Sequence, residues 1–191
     1  YMAAQKEDRR IRRTKRLLRQ ALAELMNEKE FKDITVKEIT DRADLNRGTF
    51  YFHYTDTYDL REKIEDELVH DFKEVISSYS PTPENYSARH MLEQAMGYIQ
   101  EQKFLIRTLF HSSSVGDGLQ SKFTVVIEDM ITRVQEQLNL NDTGKQAKYI
   151  CRFCSSGIIG CLNMWLQEGE GMTGKTLVDC LDDMINRAIV I

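Results

Sequence analysis

Apolar residues recur at helical spacing along almost the whole chain, and strand-like alternation is nearly absent. Leu18, Leu22 and Leu25, with Ala21 and Met26, follow i, i+3, i+4 and i+7 and fix a first amphipathic helix over roughly residues 8–28. Thr35-Val36-Lys37-Glu38 has the S/T-x-x-E form of a capping box, so a second helix starts there, with Val36, Ile39 and Ala43 as its apolar face. It is short, because Asp44-Leu45-Asn46 follows and Asn46 is itself a good N-cap. A third helix over about 47–53 then sets Phe50 and Tyr54 on one side and Arg47, Gly48 and Tyr51 on another. Leu60, Ile64, Leu68, Phe72, Val75 and Ile76 describe a long fourth helix from Thr57 to about Tyr79, ended by Ser80-Pro81-Thr82-Pro83. Further helices are expected at 85–102, 103–111, 118–138, 144–167 and 174–189, with breaks at Ser112–Gly118, Asn139–Gly144 and Gly169–Gly174. The fold class is therefore all-α, about nine helices, with a head over 1–56 and a helical body over 57–191.

Charge is distributed unevenly between these parts. Residues 1–56 carry a net +3 and residues 57–191 a net −7. Eight basic residues (Lys6, Arg9, Arg10, Arg12, Arg13, Lys15, Arg16 and Arg19) crowd the first 20 positions against Glu7 and Asp8. A basic end on an acidic body suits a polyanion contact, although such a run also reads as a solvated helix face. The longest stretch without a charged side chain, Phe153 to Gln167, has 15 residues. That falls short of the ~18–20 needed to span a bilayer, so no membrane partner is expected. The opening residues have no apolar signal segment, and Tyr1 ahead of Met2 reads as an addition to the natural start. The four cysteines lie in the last 41 positions rather than as a disulfide framework, so a reducing cytoplasm is the expected compartment.

The two short helices near residue 40 read, on pattern alone, either as a packing corner or as a helix-turn-helix. In the second case the third helix enters the major groove. Arg47 suits guanine, Thr49 a phosphate or a thymine methyl, and Tyr51 and His53 carry donors that reach phosphate. Gly48 leaves the backbone open to close approach.

Phe31-Lys32-Asp33-Ile34-Thr35-Val36-Lys37-Glu38-Ile39 followed by Ala43-Asp44-Leu45-Asn46-Arg47-Gly48-Thr49-Phe50-Tyr51-Phe52-His53-Tyr54 resembles the DNA-binding domain of the tetracycline-repressor-like (TetR) family of bacterial regulators. The likeness covers about residues 9–68. It implies a homodimer on double-stranded operator DNA, with an effector, a small molecule or a partner protein, acting on the body. The DNA-contacting positions it implies are Thr35 and Lys37 on the second helix and Arg47, Gly48, Thr49, Tyr51 and His53 on the third, with Asn46 at the third helix's start. Family members commonly carry a lysine just after this run; Thr55-Asp56-Thr57-Tyr58 holds no basic residue, so binding is expected to lean on the basic first helix or to be weaker.

Beyond residue 70 the resemblance thins. The helix around Ile150 to Leu166 is apolar nearly all round and carries small residues, as a helix buried on more than one side requires. Ile150, Cys154, Gly157, Ile158, Cys161, Trp165, Leu181 and Ile185 are the expected dimer contacts. Tyr98, Phe104, Phe110, Phe123 and Phe153 are the expected pocket lining. Cys151-x-x-Cys154 lacks the second pair or the histidines of a zinc site, so packing is expected, with a thiol switch as the alternative. Glu67-x-x-His70 lacks the second copy that a di-iron bundle needs. No metal, cofactor or enzymatic activity is expected.

Overall fold

The computed structural model describes residues 9–78, 87–111, 118–137, 145–168 and 171–189. Among these the fold is all-α: α1 (Arg9–Glu28), a 3₁₀ turn (Phe31–Asp33), α2 (Val36–Arg42), α3 (Arg47–His53), α4 (Thr57–Ser77), α5 (Ala88–Glu101), α6 (Lys103–His111), α7 (Leu119–Gln137), α8 (Lys145–Glu168) and α9 (Gly174–Ile189). The helices stand close to the bounds that periodicity and caps set. The expected breaks at residues 80–83, 112–117, 139–144 and 169–170, with Lys6 and the first two residues, lie outside the described residues.

Two compact units divide the chain at Asp66–Glu67, inside α4 rather than ahead of it. The first turns of α4 belong with the head because Leu60 and Ile64 are buried there, along with Leu18, Leu22, Leu25, Ile39, Phe50 and Tyr54. Tyr58 meets Phe31 edge-on with centroids 4.9 Å apart, and the Arg61 guanidinium lies 4.9 Å from the same ring.

The start of α2 is fixed by a complete capping box. Thr35 Oγ1 accepts from the Glu38 amide at 3.3 Å, and the Thr35 amide donates to Glu38 Oε2 at 3.0 Å. Lys29 Nζ reaches the same carboxylate at 2.6 Å. Hydrogen bonds from Lys29 first, then from Thr35, hold the Glu38 carboxyl down at about 2. Arg42 ties α2 back to α1 through two bonds to Glu28, at 2.8 and 2.9 Å, and keeps that carboxyl below its usual range.

In the second unit α5 packs along α9, joined by Arg89 to Asp179 at 2.6 Å and to Asp182 at 3.3 Å. Between α7 and α8, buried Ser155 donates to Glu128 at 3.0 Å and Arg152 pairs with the same oxygen at 2.9 Å. Phe72 of α4 stacks on Phe123 at 4.5 Å, and Phe110 meets Phe123 edge-on at 5.8 Å.

Replacing Thr35→Ala is expected to lower unfolding free energy by ~0.5–2 kcal/mol in urea denaturation, as loss of an N-cap does. Glu38 adds a pH signature. Its carboxyl is depressed from 4.5 to about 2 on folding, so its stabilisation is complete above pH 4.5 and is lost as pH falls toward 2. The stability gap between the parent and Glu38→Gln should close over that window and stay constant above it.

Candidate nucleic-acid interface and body cavity

The turn between α2 and α3 is made by Asp44, whose φ of 54° is left-handed, a conformation that aspartate tolerates better than most residues. The Leu45 amide donates to the Thr40 carbonyl at 3.0 Å and closes α2. Asn46 Oδ1 then caps α3, accepting from the Thr49 amide at 2.7 Å and its hydroxyl at 3.0 Å. Phe50 is fully buried, and its ring lies against Tyr54 at 5.7 Å. The short helix is thus nailed down by one cap and one aromatic anchor, with Arg47, Gly48, Tyr51 and Phe52 facing solvent.

These details sort the expected contact residues. Lys37, Arg47, Gly48 and Tyr51 are exposed, and Thr49 and His53 are half-buried. Thr35 and Asn46 are exposed as well, but their side-chain oxygens are engaged as helix caps, so they set α2 and α3 in place. On α1, Arg9, Arg10, Arg12, Arg13 and Arg16 are exposed while Leu18 and Leu22 are buried. Beside α3 stands a residue that the sequence reading did not single out. Lys63 reaches back to the end of α3, donating to the His53 carbonyl at 3.2 Å, pairing with Asp59 at 3.0 Å and lying 5.3 Å from the Tyr54 ring centre. Its i, i+4 spacing from Asp59 was the available signal. Hydrogen bonds from the Thr55 amide, then Lys63, keep Asp59 below its usual range.

The second unit contains a partly open cavity of about 40 Å³. It is lined by Phe72 and Ile76 of α4, Met91, Leu92 and Met96 of α5, Met130 of α7, Leu162 of α8 and Leu177 of α9, among other apolar side chains. A water needs only ~10–15 Å³ but also two to four polar partners, which this lining does not offer. None of the five expected pocket residues lines it. Tyr98 is buried with its hydroxyl on the Leu68 carbonyl at 3.0 Å, and Phe110 and Phe123 are buried in the aromatic stack on Phe72. Phe104 and Phe153 are exposed, Phe153 at 74%.

The expected dimer residues differ in their exposure within this chain. Trp165 is 4% exposed, donates Nε1–H to the Met172 carbonyl at 2.7 Å and lies under the Lys103 ammonium at 4.3 Å, so the chain's own core takes it. Leu181 is buried, and Leu181 and Ile158 line the cavity. Ile150, Cys154, Cys161 and Ile185 are half-buried, and Gly157 is exposed. The residues that α8 does present are Tyr149 (76% exposed), Phe153, Gly157, Gly160 and Met164, at helical spacing on one face. A Cβ added at Gly157 or Gly160 would meet nothing within 4 Å. On α9, Cys180 and Met184 are exposed one turn apart.

Residues 87–187 match the family described as transcriptional regulator C-terminal region, and residues 18–64 match bacterial regulatory proteins, tetR family. The chain belongs to the TetR family. Its members are regulators rather than enzymes. A relative in Bacillus subtilis (strain 168), the uncharacterized HTH-type transcriptional regulator YxbF, is 26% identical over 178 residues. That alignment takes in 89% of this chain but 44% of the relative, so the chain spans less than half of that protein's length. A TetR transcriptional regulator from Streptococcus agalactiae 2603V has the same fold at 22% identity, with a TM-score of 0.65 and 94% and 97% of the two chains covered. The fatty acid degradation regulator FadR from Bacillus halodurans superposes with a TM-score of 0.67 at 11% identity over 95% and 96%.

All four cysteines are free, and burial pushes the Cys151 and Cys154 thiols up, away from the reactive thiolate. Among the described residues no group of three or more His, Cys, Asp or Glu side chains is placed to hold a metal. Among the same residues no helix is long and apolar enough to cross a membrane. Replacing Cys151 and Cys154 together by Ala is expected to cost ~1–3 kcal/mol of stability through a disturbed core. The double substitution should leave the response of DNA affinity to peroxide unchanged; an oxidant response present only in the parent would establish a thiol switch.

Proposed function

We propose that the chain acts as a homodimeric transcriptional repressor on a palindromic operator, released when an effector occupies the body. The DNA reading is carried by the solvent-facing side of α3, capped by Asn46 and anchored by Phe50 so that Arg47 and Tyr51 stay outward. Exposed arginines on α1 add a contact to phosphates that is independent of sequence. Residues 1–56 supply the contacts, and 57–191 the dimer and the response.

The dimer is supported by α8. A row of aromatic and methionine side chains in water, interrupted by glycines that no neighbour in the chain requires, suits close approach of a second copy. Tyr149, Phe153, Gly157, Gly160 and Met164 replace Trp165 and Leu181 as the contacts of this reading. The half-buried Ile150, Cys154, Cys161 and Ile185 flank them.

The effector reading is supported by the cavity. A lining without polar groups favours an apolar small molecule over a charged one, and the methionines adapt to its shape. Phe72 and Ile76 belong to α4, which continues into the head, so filling the cavity displaces the helix that carries α3. Two recognition helices must fall about one helical turn of DNA apart, ~34–36 Å, and a modest shift in α4 breaks that match. The coupling is reciprocal: operator DNA disfavours the effector as strongly as the effector disfavours DNA.

Selection of bound sites from random duplex DNA should return a palindrome, and light scattering should give about twice the 22.3 kDa chain mass. Arg47→Ala should weaken the selected site by ~1–3 kcal/mol if it reads a guanine. Arg12→Ala should weaken all sequences alike and flatten the salt dependence. No complex at low salt would remove the regulator reading. A mass equal to one chain would remove the dimer, as would a Gly160→Leu variant that still associates like the parent.

A further inference from the structure

α3 exposes more aromatic surface than its anchoring requires. At about 100° per residue, Arg47, Tyr51, Gly48 and Phe52 follow one another around about 140° of the helix. All four are exposed, opposite the buried Phe50. Phe52, at 79%, is the most exposed large apolar side chain among the described residues. Its ring meets His53 edge-on at 4.9 Å, which fixes its direction without covering it.

A phenyl ring has no group that bonds a phosphate, so Phe52 cannot do what the hydroxyl of Tyr51 can. In the major groove its fitting partner is the C5-methyl of thymine, the one apolar group that the base edges present there. Gly48 stands between Tyr51 and Phe52 on the exposed arc, about one turn back. The next segment, Thr55-Asp56-Thr57-Tyr58, brings no positive charge and Lys63 beyond it is paired with Asp59 at 3.0 Å, so direct base contact carries more of the recognition here.

We propose that Phe52 is a specificity-determining residue that reads the C5-methyl of one thymine in each half-site. This rests on the regulator reading above. The contact is that of a methyl group on an aromatic face, so removing the methyl alone must be felt.

The test uses the full chain and its site-selected duplex, with each thymine replaced in turn by deoxyuridine, which deletes only that methyl. The parent should lose about fourfold in affinity at one position per half-site, the value of one buried methyl group. Phe52→Leu should retain the penalty at the same position, and Phe52→Ala should bind thymine and uracil duplexes equally. Because Phe52 is exposed, both variants should keep the parent's circular dichroism and melting temperature. A parent indifferent to deoxyuridine throughout overturns the assignment and leaves the regulator reading standing, as does a Phe52→Ala variant with the parent's penalty. Failure of the parent to form any sequence-specific complex overturns both.

Discussion

A seven-residue helix has no stability of its own. Nucleation costs more than its few internal bonds return, so isolated helices below ~12–15 residues scarcely form in water. α3 is such a helix, and every outward side chain on it owes its direction to the groups that hold its two ends and its inner face. Asn46 satisfies the first turn, Phe50 buries the inner face, and Lys63 bonds the His53 carbonyl at the far end. α2, equally short, depends in the same way on the Thr35–Glu38 box and the Arg42 fork to Glu28. The head is therefore a set of clamps around two helices that could not exist alone.

That dependence explains why the head could be read from the sequence. Caps act through neighbours three residues apart, so Thr35 with Glu38 and Asn46 with Thr49 declare themselves locally. The anchor is equally local, because Phe50 is the apolar position of a helix otherwise made of polar residues and rings. Helix bounds in the body were legible for the related reason that Gly and Pro clusters punctuate a continuous 3.6-residue period.

What lay beyond the sequence was the facing of the body's helices. α8 is apolar nearly all round, and periodicity cannot say which of its sides meets the chain's own core. Trp165 and Phe153 look interchangeable in the sequence, yet Trp165 is fastened inside by Met172 and Lys103 while Phe153 stands in water. The cavity is hidden for a similar reason. It arises where methionines and aliphatic side chains from five helices fail to close on one another, whereas Phe123 stacks on Phe72, Phe110 meets Phe123 edge-on, and Phe104 and Phe153 stand exposed. Phe52 was passed over because a lone exposed ring has no periodic partner to mark it.

α4 is the element in which these two kinds of order meet. Its 21 residues place Leu60 and Ile64 in one core and Leu68, Phe72 and Ile76 in the other without a break in the helix. Arg61 and Glu65, the latter buried, pair at 2.9 Å one turn apart. Desolvating such a pair cancels much of its attraction, so it contributes little net stability, but separating the partners is costly. The pair therefore holds together the two turns of α4 that it joins. Phe72 lies 12 residues beyond Leu60, about 18 Å along the axis. Each core therefore fixes the turns of α4 that lie within it, through side chains of one unbroken apolar stripe.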